Sequence, residues 1–539
     1  MVSCNNPVSG IEIRPTGELA TETSGISSTG ASITTLRNAA TSRIASFVHN
    51  LGSGIILDVR ARTPWYLSDW TDAWNYRVIP ATALIFFANV LPGIAFSLNL
   101  IETTQQYGVA EVLISSFMAA FVFSVFGAQP LTIAGVTGPI TVFNKMIYDI
   151  IEKQPNAPSY LHFFNEDFDG ALVGIILALL MLTTSFLFQR LSETTLFHRH
   201  IRRFFSDYGM PISLVAASGM AYWGRFNASN PTTLPVGGAF QAANGRAWLV
   251  KFWELDGKWV GIALPFGIIL WILFLFDHNV SSLMAQGSQF PLRKPPGFHY
   301  DFFLLGITTF IAGLIGVPAP NGLIPQAPIH TASLLIMGKP SKNDIDKEEQ
   351  IIRPSPRSGD DFNATVIDEK KLFDPSFSRR EVPVAVVEQR VSNLAQGALC
   401  LVLLTSPFLH ILSLVPRGVL AGLFWFMGAD ALRGNGITTK LLYLMRDKTL
   451  NSPRDPLHKV RKSRLLMFVA VQLMGFGATF AITQTIAAIG FPVIILLLIP
   501  LRTYGIQRLP FTQEELSILD GPTASPFTMK SVGGSPKTS

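Results

Sequence analysis

The sequence predicts an all-α polytopic membrane protein, and three observations carry that prediction. Only 14% of the 539 residues are charged, against about 25% in soluble domains. Hydrophobic residues make up 48%. They are gathered into charge-free runs, and about 20 apolar residues rising 1.5 Å each cross the roughly 30 Å hydrocarbon core. The formal charge of +6 does not point to nucleic acid, because Lys and Arg punctuate the apolar runs instead of forming a basic stripe interleaved with aromatics. Cys4 and Cys400 are too few for a disulfide framework or a zinc cluster.

The elements follow in order. Residues 1–50, rich in Ser, Thr, Gly and Asn, read as a disordered tail. The first crossing runs from Val78 to Ile101. The next run, Val112 to Asn144, is too long for one helix and is interrupted by QPLTIAGVTGP, Gln129 to Pro139. It predicts a crossing near 109–128, an extended stretch, and a short helix from Thr137 to Ile151. Crossings at Gly170–Gln189 and Tyr208–Gly224 come next, then a polar loop to Lys258. Val260–Gln286, with Asp277 inside it, and Phe302–Ile315 are two more. A second broken stretch, IGVPAPNGLIPQAPIHT from Ile315 to Thr331, leads into a short helix ending near Met337. Residues 338–386 are charged and Pro-bearing and read as a disordered loop. Val391–Leu409, Gly418–Ala429 with its flanks, and Leu465–Leu501, long enough for two, bring the total to about twelve segments. Membrane portions at 51–337 and 387–510 and a tail at 511–539 complete the organisation.

Basic residues near helix ends set sidedness. Arg60, Arg62 and Arg77 precede the first crossing, whereas Thr103 to Gly108 carries no Lys or Arg. Both termini are therefore expected in the cytoplasm. Alternation then puts Arg199, Arg202 and Arg203, then Arg293 and Lys294, then Arg446 through Arg464, on the same side. Asn227-Ala228-Ser229 falls outside and Asn363-Ala364-Thr365 inside, so only Asn227 is a glycosylation candidate.

Two Gly/Pro-interrupted stretches, each leading into a short helix at corresponding places in two halves, predict a transporter built of inverted repeats with two half-helices meeting at the membrane midplane. A helix that starts inside the bilayer presents unpaired N–H groups and about half a positive charge, which attracts an anion without a buried cation. The plainer reading of such glycines and prolines is close packing or kinking. A carboxylate within a crossing, here Asp277, costs at least about 2.5 kcal/mol and usually faces a pathway. It would serve as proton acceptor, hydrogen-bond acceptor or counter-ion, unless it sits at the cytoplasmic interface. Gln129, Asn321 and Gln326 beside the broken stretches can donate to and accept from hydroxyls. Gln129 and Asn321 are expected first to satisfy irregular backbone, His330 to be a packed helix residue, and Glu102 and Glu111 to be interface charges. No Walker-type loop, HExxH or GxSxG is present. DKTL at Asp447 has no nucleotide-binding domain around it, so no enzyme, metal or cofactor is expected.

These motifs resemble a known family. SDWTDAWNYRVIP from Ser68, QPLTIAGVTGPITVF from Gln129, FDHNVSSLMAQ from Phe276, GFHYDFFLLG from Gly297, PAPNGLIPQAP from Pro318, VVEQRVSN from Val386 and TIAAIGFP from Thr485 are similar to the bicarbonate and anion-exchanger family, and within it to the fungal boron transporters. The resemblance implies two inverted seven-helix repeats, a core carrying the site, and a gate that makes a homodimer. It also implies export of boric acid as borate across the plasma membrane, with a vacuolar pool left open. Asp277 matches an acidic residue on the family's eighth helix, and Thr137 and Gly138 match the start of the third. Gln326 lies near the start of the tenth, where animal chloride/bicarbonate exchangers carry an arginine. Without that charge the site should suit a polyhydroxylated weak acid better than chloride. The chain departs from the pattern in one respect: the fourth and fifth helices are missing before Gly170. Bicarbonate or other inorganic anion exchange is the nearest alternative, and a transport-inactive product of the shortened chain is the other.

Overall fold

The computed structural model describes residues 52–151, 168–191, 194–229, 231–338, 382–447, 455–521 and 528–529. The architecture below is that of the compact unit Ile55–Ser539 with the short helical lead-in before it. The expected tail at 1–50, Asn363 and most of the 338–386 loop lie outside the described residues.

Helices α1 (Ser53–Arg62) and α2 (Tyr66–Thr71) lead into α3 (Val78–Thr104) and α4 (Val109–Val125). Strand β1 (Ala134–Gly135) and helix α5 (Gly138–Ile151) form the first broken segment. Then come α6 (Phe168–Leu191), α7 (Arg199–Ala221), α8 (Gly257–Ala285) and α9 (Phe298–Ile315). The second broken segment is β2 (Asn321–Gly322), α10 (Gln326–Ser333) and β3 (Leu335–Gly338). After β4 (Val382–Val386) follow α11 (Val391–Leu403), α12 (Ser406–Ser413), α13 (Arg417–Gly434), α14 (Gly436–Met445), α15 (Lys462–Thr483), α16 (Phe491–Pro500) and α17 (Gln513–Leu519).

Among the described residues, six helices are long and apolar enough to cross a membrane, or seven if the bent pair α11–α12 is one span. Protein covers 61% of the most apolar window of α3 but only 17% of that of α8. Helix α3 is thus the central pillar. The first half of α8, with Trp259, Leu264, Ile268 and Trp271 exposed, presents an apolar face suited to lipid.

Three elements differ from expectation. The crossing placed at Val391–Leu409 bends by 80° between α11 and α12, because Pro407 in the first turn of α12 cannot continue the preceding hydrogen-bond ladder. The crossing placed at Tyr208 starts earlier, at Arg199, where the basic first turns hide a helix from a charge-free criterion. The short helix expected to end near Met337 stops at Ser333, and Leu335–Gly338 instead pairs antiparallel with Val382–Val386. Val382, Val384 and Val386 supply the β-branched alternation that favours this pairing.

Helices α6 and α13 approach through small residues. A Cβ on Gly422 would come within 2.3 Å of the Ala178 carbonyl oxygen, and one on Gly418 within 2.5 Å of that of Gly174, the close backbone approach typical of membrane helices. Between α5 and α6 lie only residues 152–167, whereas two further spans would need roughly 40 residues.

Candidate functional site

The two broken stretches meet. Strands β1 and β2 pair antiparallel, with Ala134 opposite Gly322 and Gly135 opposite Asn321, and Leu323 N donates to Ile133 O at 2.9 Å. Irregular backbone inside a membrane protein must satisfy itself or line a polar cavity, and each stretch here answers the other. Antiparallel pairing sends the two chains onward in opposite directions, so the first turns of α5 and α10 flank one strand pair. Pro139 and Pro328 sit in those turns, where a missing N–H costs nothing and the fixed φ favours helix initiation. A Cβ on Gly322 would fall 2.9 Å from Ser281 Cβ and 3.0 Å from His278 Cα, so only glycine lets β2 lie against α8.

The expected site residues surround this crossing. Asp277 on α8 is 8% exposed, and its Oδ2 accepts from Asn321 Nδ2 at 3.4 Å. Asn321 Oδ1 in turn accepts from Gly322 N at 2.8 Å, which holds β2 in its turn. Gln326, at the first position of α10, donates through Nε2 to Ala88 O on α3 at 3.1 Å, and its Oε1 is buried without a partner. Thr137, just before α5, is also buried and its Oγ1 has no partner. Gly138 opens α5 against the Phe96 ring. Unpaired buried polar atoms cost about 1–3 kcal/mol each and call for a ligand, ion or water. Two of them stand at the starts of the two short helices.

Other predicted residues have structural employment. Gln129 Oε1 accepts from Leu131 N at 3.4 Å, while its Nε2 is buried and unpaired. His330 is fully buried, with Nδ1 3.3 Å from Leu131 O and Nε2 2.6 Å from Ser392 Oγ. A carbonyl only accepts, so Nδ1 carries the proton and Ser392 donates to Nε2. Glu102 is paired with Arg417 at 2.7 Å. Glu111 corrects its reading as an interface charge. It is fully buried and accepts from Gly108 N at 2.8 Å and Ala243 N at 2.6 Å, with Arg246 3.3 Å away. A carboxylate at the third residue of a helix caps its orphan donors. Asn227 is exposed in a helical turn, Arg225–Ala228.

Two clusters escaped the sequence reading. Asn89 on α3 donates through Nδ2 to Gln396 Oε1 at 3.1 Å, and Gln396 Nε2 donates to Asn393 Oδ1 at 3.0 Å. The available signal was an amide near the middle of the charge-free Val78–Ile101 run, the other, Asn99, lying at its end. The second cluster centres on Asp69, which is fully buried. It binds Arg62 at 2.9 Å, Lys294 at 2.8 Å and Arg390 at 2.8 Å, and Lys294 also reaches Asp72 at 2.8 Å. Arg390 further donates to Ser124 O and Gly127 O and lies over the Tyr66 ring. Glu388 accepts from the N–H groups of Arg293 and Lys294. Burial pushes its carboxyl up, opposed by those N–H groups and by the charges of Arg62 and Lys294. These partners come from four separate stretches of sequence, so no local pattern announces them. Among the described residues, no group of three or more His, Cys, Asp or Glu is placed to hold a metal.

The profile of the HCO3- transporter integral membrane domain matches residues 50–166, 155–353 and 376–524. A transporter of Schizosaccharomyces pombe is 40% identical over 529 positions, covering 88% of this chain and 96% of that protein. Boron transporter 1 of Saccharomyces cerevisiae is 38% identical over 548 positions, covering 89% of this chain and 87% of that protein. Among solved structures, the transmembrane domain of a cyanobacterium bicarbonate transporter, BicA, aligns with a TM-score of 0.42 at 12% identity, covering 78% of this chain and 97% of that one. The 529 positions shared with the Schizosaccharomyces pombe protein use only 88% of 539 residues, so that relative carries several tens of residues that this chain skips. The first two matched stretches of the family profile overlap at 155–166, between α5 and α6.

Proposed function

The chain belongs to the HCO3- transporter family, a family of membrane anion transporters and not of enzymes, and from that premise we propose that it exports borate across the plasma membrane. The carrying observation is the pair of unpartnered buried atoms, Thr137 Oγ1 and Gln326 Oε1, at the starts of two short helices joined by β1 and β2. The helix ends supply diffuse positive charge for an anion. Among the described residues, no Lys or Arg pairs with Asp277, Asn321, Gln326 or Thr137, so hydrogen bonding outweighs fixed charge. Such a site favours a weak acid rich in hydroxyl groups. Boron transporter 1 of Saccharomyces cerevisiae, the 38% identical relative, supports the same solute.

Antiparallel β1 and β2 are what two inverted repeats would produce at their contact, and the cycle follows from it. The bundle around α3 carries the site, and the group built on α6, α7 and α13 rocks against it to open the two sides alternately. Both termini face the cytoplasm, by the distribution of Arg and Lys, and the protein works as a homodimer in the bilayer. Asp277 accepts hydrogen bonds from the solute or couples a proton. Expression in a boron-sensitive host should lower intracellular boron. Asp277→Asn should abolish that export at unchanged surface abundance. Unaltered boron content with correctly localised wild-type protein would overturn the borate reading and leave exchange of bicarbonate or another inorganic anion to be measured with labelled solutes.

The short connection between α5 and α6 favours a second reading, a transport-inactive form lacking two helices. A transcript encoding two more apolar segments there would remove it.

A further inference from the structure

We infer that Asn89 on α3 is a further specificity-determining residue of the site, accepting a hydroxyl group of the solute; this rests on the borate reading above. Asn89 is 2% exposed, and its Oδ1 has no hydrogen-bond partner among the described residues. It lies against the strand pair, since a Cβ on Gly135 would sit 2.8 Å from Asn89 Oδ1. Gly135 is the residue paired with Asn321, and Asn321 donates to Asp277. On its other side Asn89 adjoins Ala88, whose carbonyl accepts from Gln326. Asn89, Asp277 and Gln326 thus come from three helices and converge on one strand crossing.

The side chain is held in place from behind. Asn89 Nδ2 donates to Gln396 Oε1, and Gln396 is braced by Asn393, so the amide oxygen is turned away from α11 and towards Gly135. Gln326 Oε1 is buried without a partner, and no donor among the described residues reaches Asn89 Oδ1 or Asp277 Oδ1. An anion alone would not want three acceptors around it, because they repel its charge. Tetrahedral borate differs from chloride and from bicarbonate: it carries a hydroxyl donor at each corner, bicarbonate carries one, and chloride carries none. The spare acceptors consume these donors, while the first turns of α5 and α10 answer the negative charge. Asn89 therefore acts on the choice of solute.

The test uses the purified full chain in detergent, titrated with borate, bicarbonate and chloride at alkaline pH, with thermal stabilisation as the readout of affinity. Asn89→Leu removes the acceptor at similar volume. It should weaken borate binding about tenfold, the equivalent of one hydrogen bond in a buried site, and leave the bicarbonate and chloride responses within about twofold. Gly135→Ala, which drives a methyl into the Asn89 oxygen, should reproduce that selective loss and stands in if the Leu variant does not fold. Unchanged borate affinity in a folded variant, or equal loss for all three anions, would overturn the role of Asn89. A wild-type chain that borate does not stabilise would instead overturn the borate reading, and this inference with it.

Discussion

At the scale of single residues, the molecule keeps two kinds of buried charge. Asp277 has one long hydrogen bond, to Asn321, and among the described residues no cation pairs with it. Asp69 has the opposite condition, saturated by Arg62, Lys294 and Arg390. Removing one member of a buried ion cluster leaves uncompensated charge and costs about 3–5 kcal/mol. Asp69→Asn should therefore lower the unfolding midpoint by several degrees and reduce the amount of protein recovered. Asp277→Asn should leave the midpoint unchanged or raise it, since it discharges an unpaired group. Equal midpoints for wild type and Asp69→Asn in a thermal scan would show that the cluster does not hold the fold together. Asp277 was legible in the sequence, because a carboxylate in a charge-free run is conspicuous. Asp69 was not, because its three partners are brought to it by α1, by the segment before α9 and by the segment before α11.

Among the elements, α17 shows how short helices outside the membrane portion are fixed. Thr512 accepts from Glu515 N at 3.3 Å and Glu515 accepts from Thr512 N at 3.1 Å, a reciprocal cap. Glu515 also pairs with Arg464 of α15, Arg502 pairs with Asp520 at 2.6 Å, and Leu519 is buried with Leu465, Phe468 and Val469. Burial pushes the Glu515 carboxyl up, but the Arg464 and Thr512 hydrogen bonds outweigh it and hold it at about 2, from an ordinary 4.5. A lowered carboxyl contributes stability above its unfolded value and loses it as pH falls through the folded one. Docking of α17 should thus persist at neutral pH and weaken between about pH 4.5 and 2. Glu515→Gln should mimic the acid state at pH 7, read as faster proteolysis after Arg508; a rate equal to wild type at both pH values would contradict the assignment. The reciprocal cap at Thr512 joins residues three apart, whereas docking on Arg464 joins residues 51 apart. The same holds for the broken stretches. Gly and Pro at Gln129–Pro139 and Ile315–Thr331 mark irregular backbone, but only the strand pairing of Gly135 with Asn321 shows that each stretch satisfies the other.

For the whole molecule, the decisive feature is what lies between α5 and α6. Residues 152–167 are too few for two spans of about 20 residues each. Inserting two apolar segments of about 20 residues each between Ile151 and Phe168 should raise the yield of folded protein and the boron efflux per molecule. No gain in either, measured by size-exclusion profile and efflux, would show the short chain to be self-sufficient. By itself, the sequence determined that the chain is an all-α membrane protein, where its backbone breaks, which family it resembles, that Gln326 lies beside a break, and that a carboxylate, Asp277, sits inside a crossing. Hydropathy, Gly/Pro interruption and motif spacing are local properties, and a linear reading captures them. Only the tertiary structure decided that β1 pairs with β2, that α11 and α12 bend apart, that Glu111 is a buried cap, and that Asn89 faces Gly135. Those outcomes depend on contacts between residues up to a few hundred positions apart, such as Asn89 with Gln396, and it is the packing of α3 against α11 and the two broken stretches that brings them together.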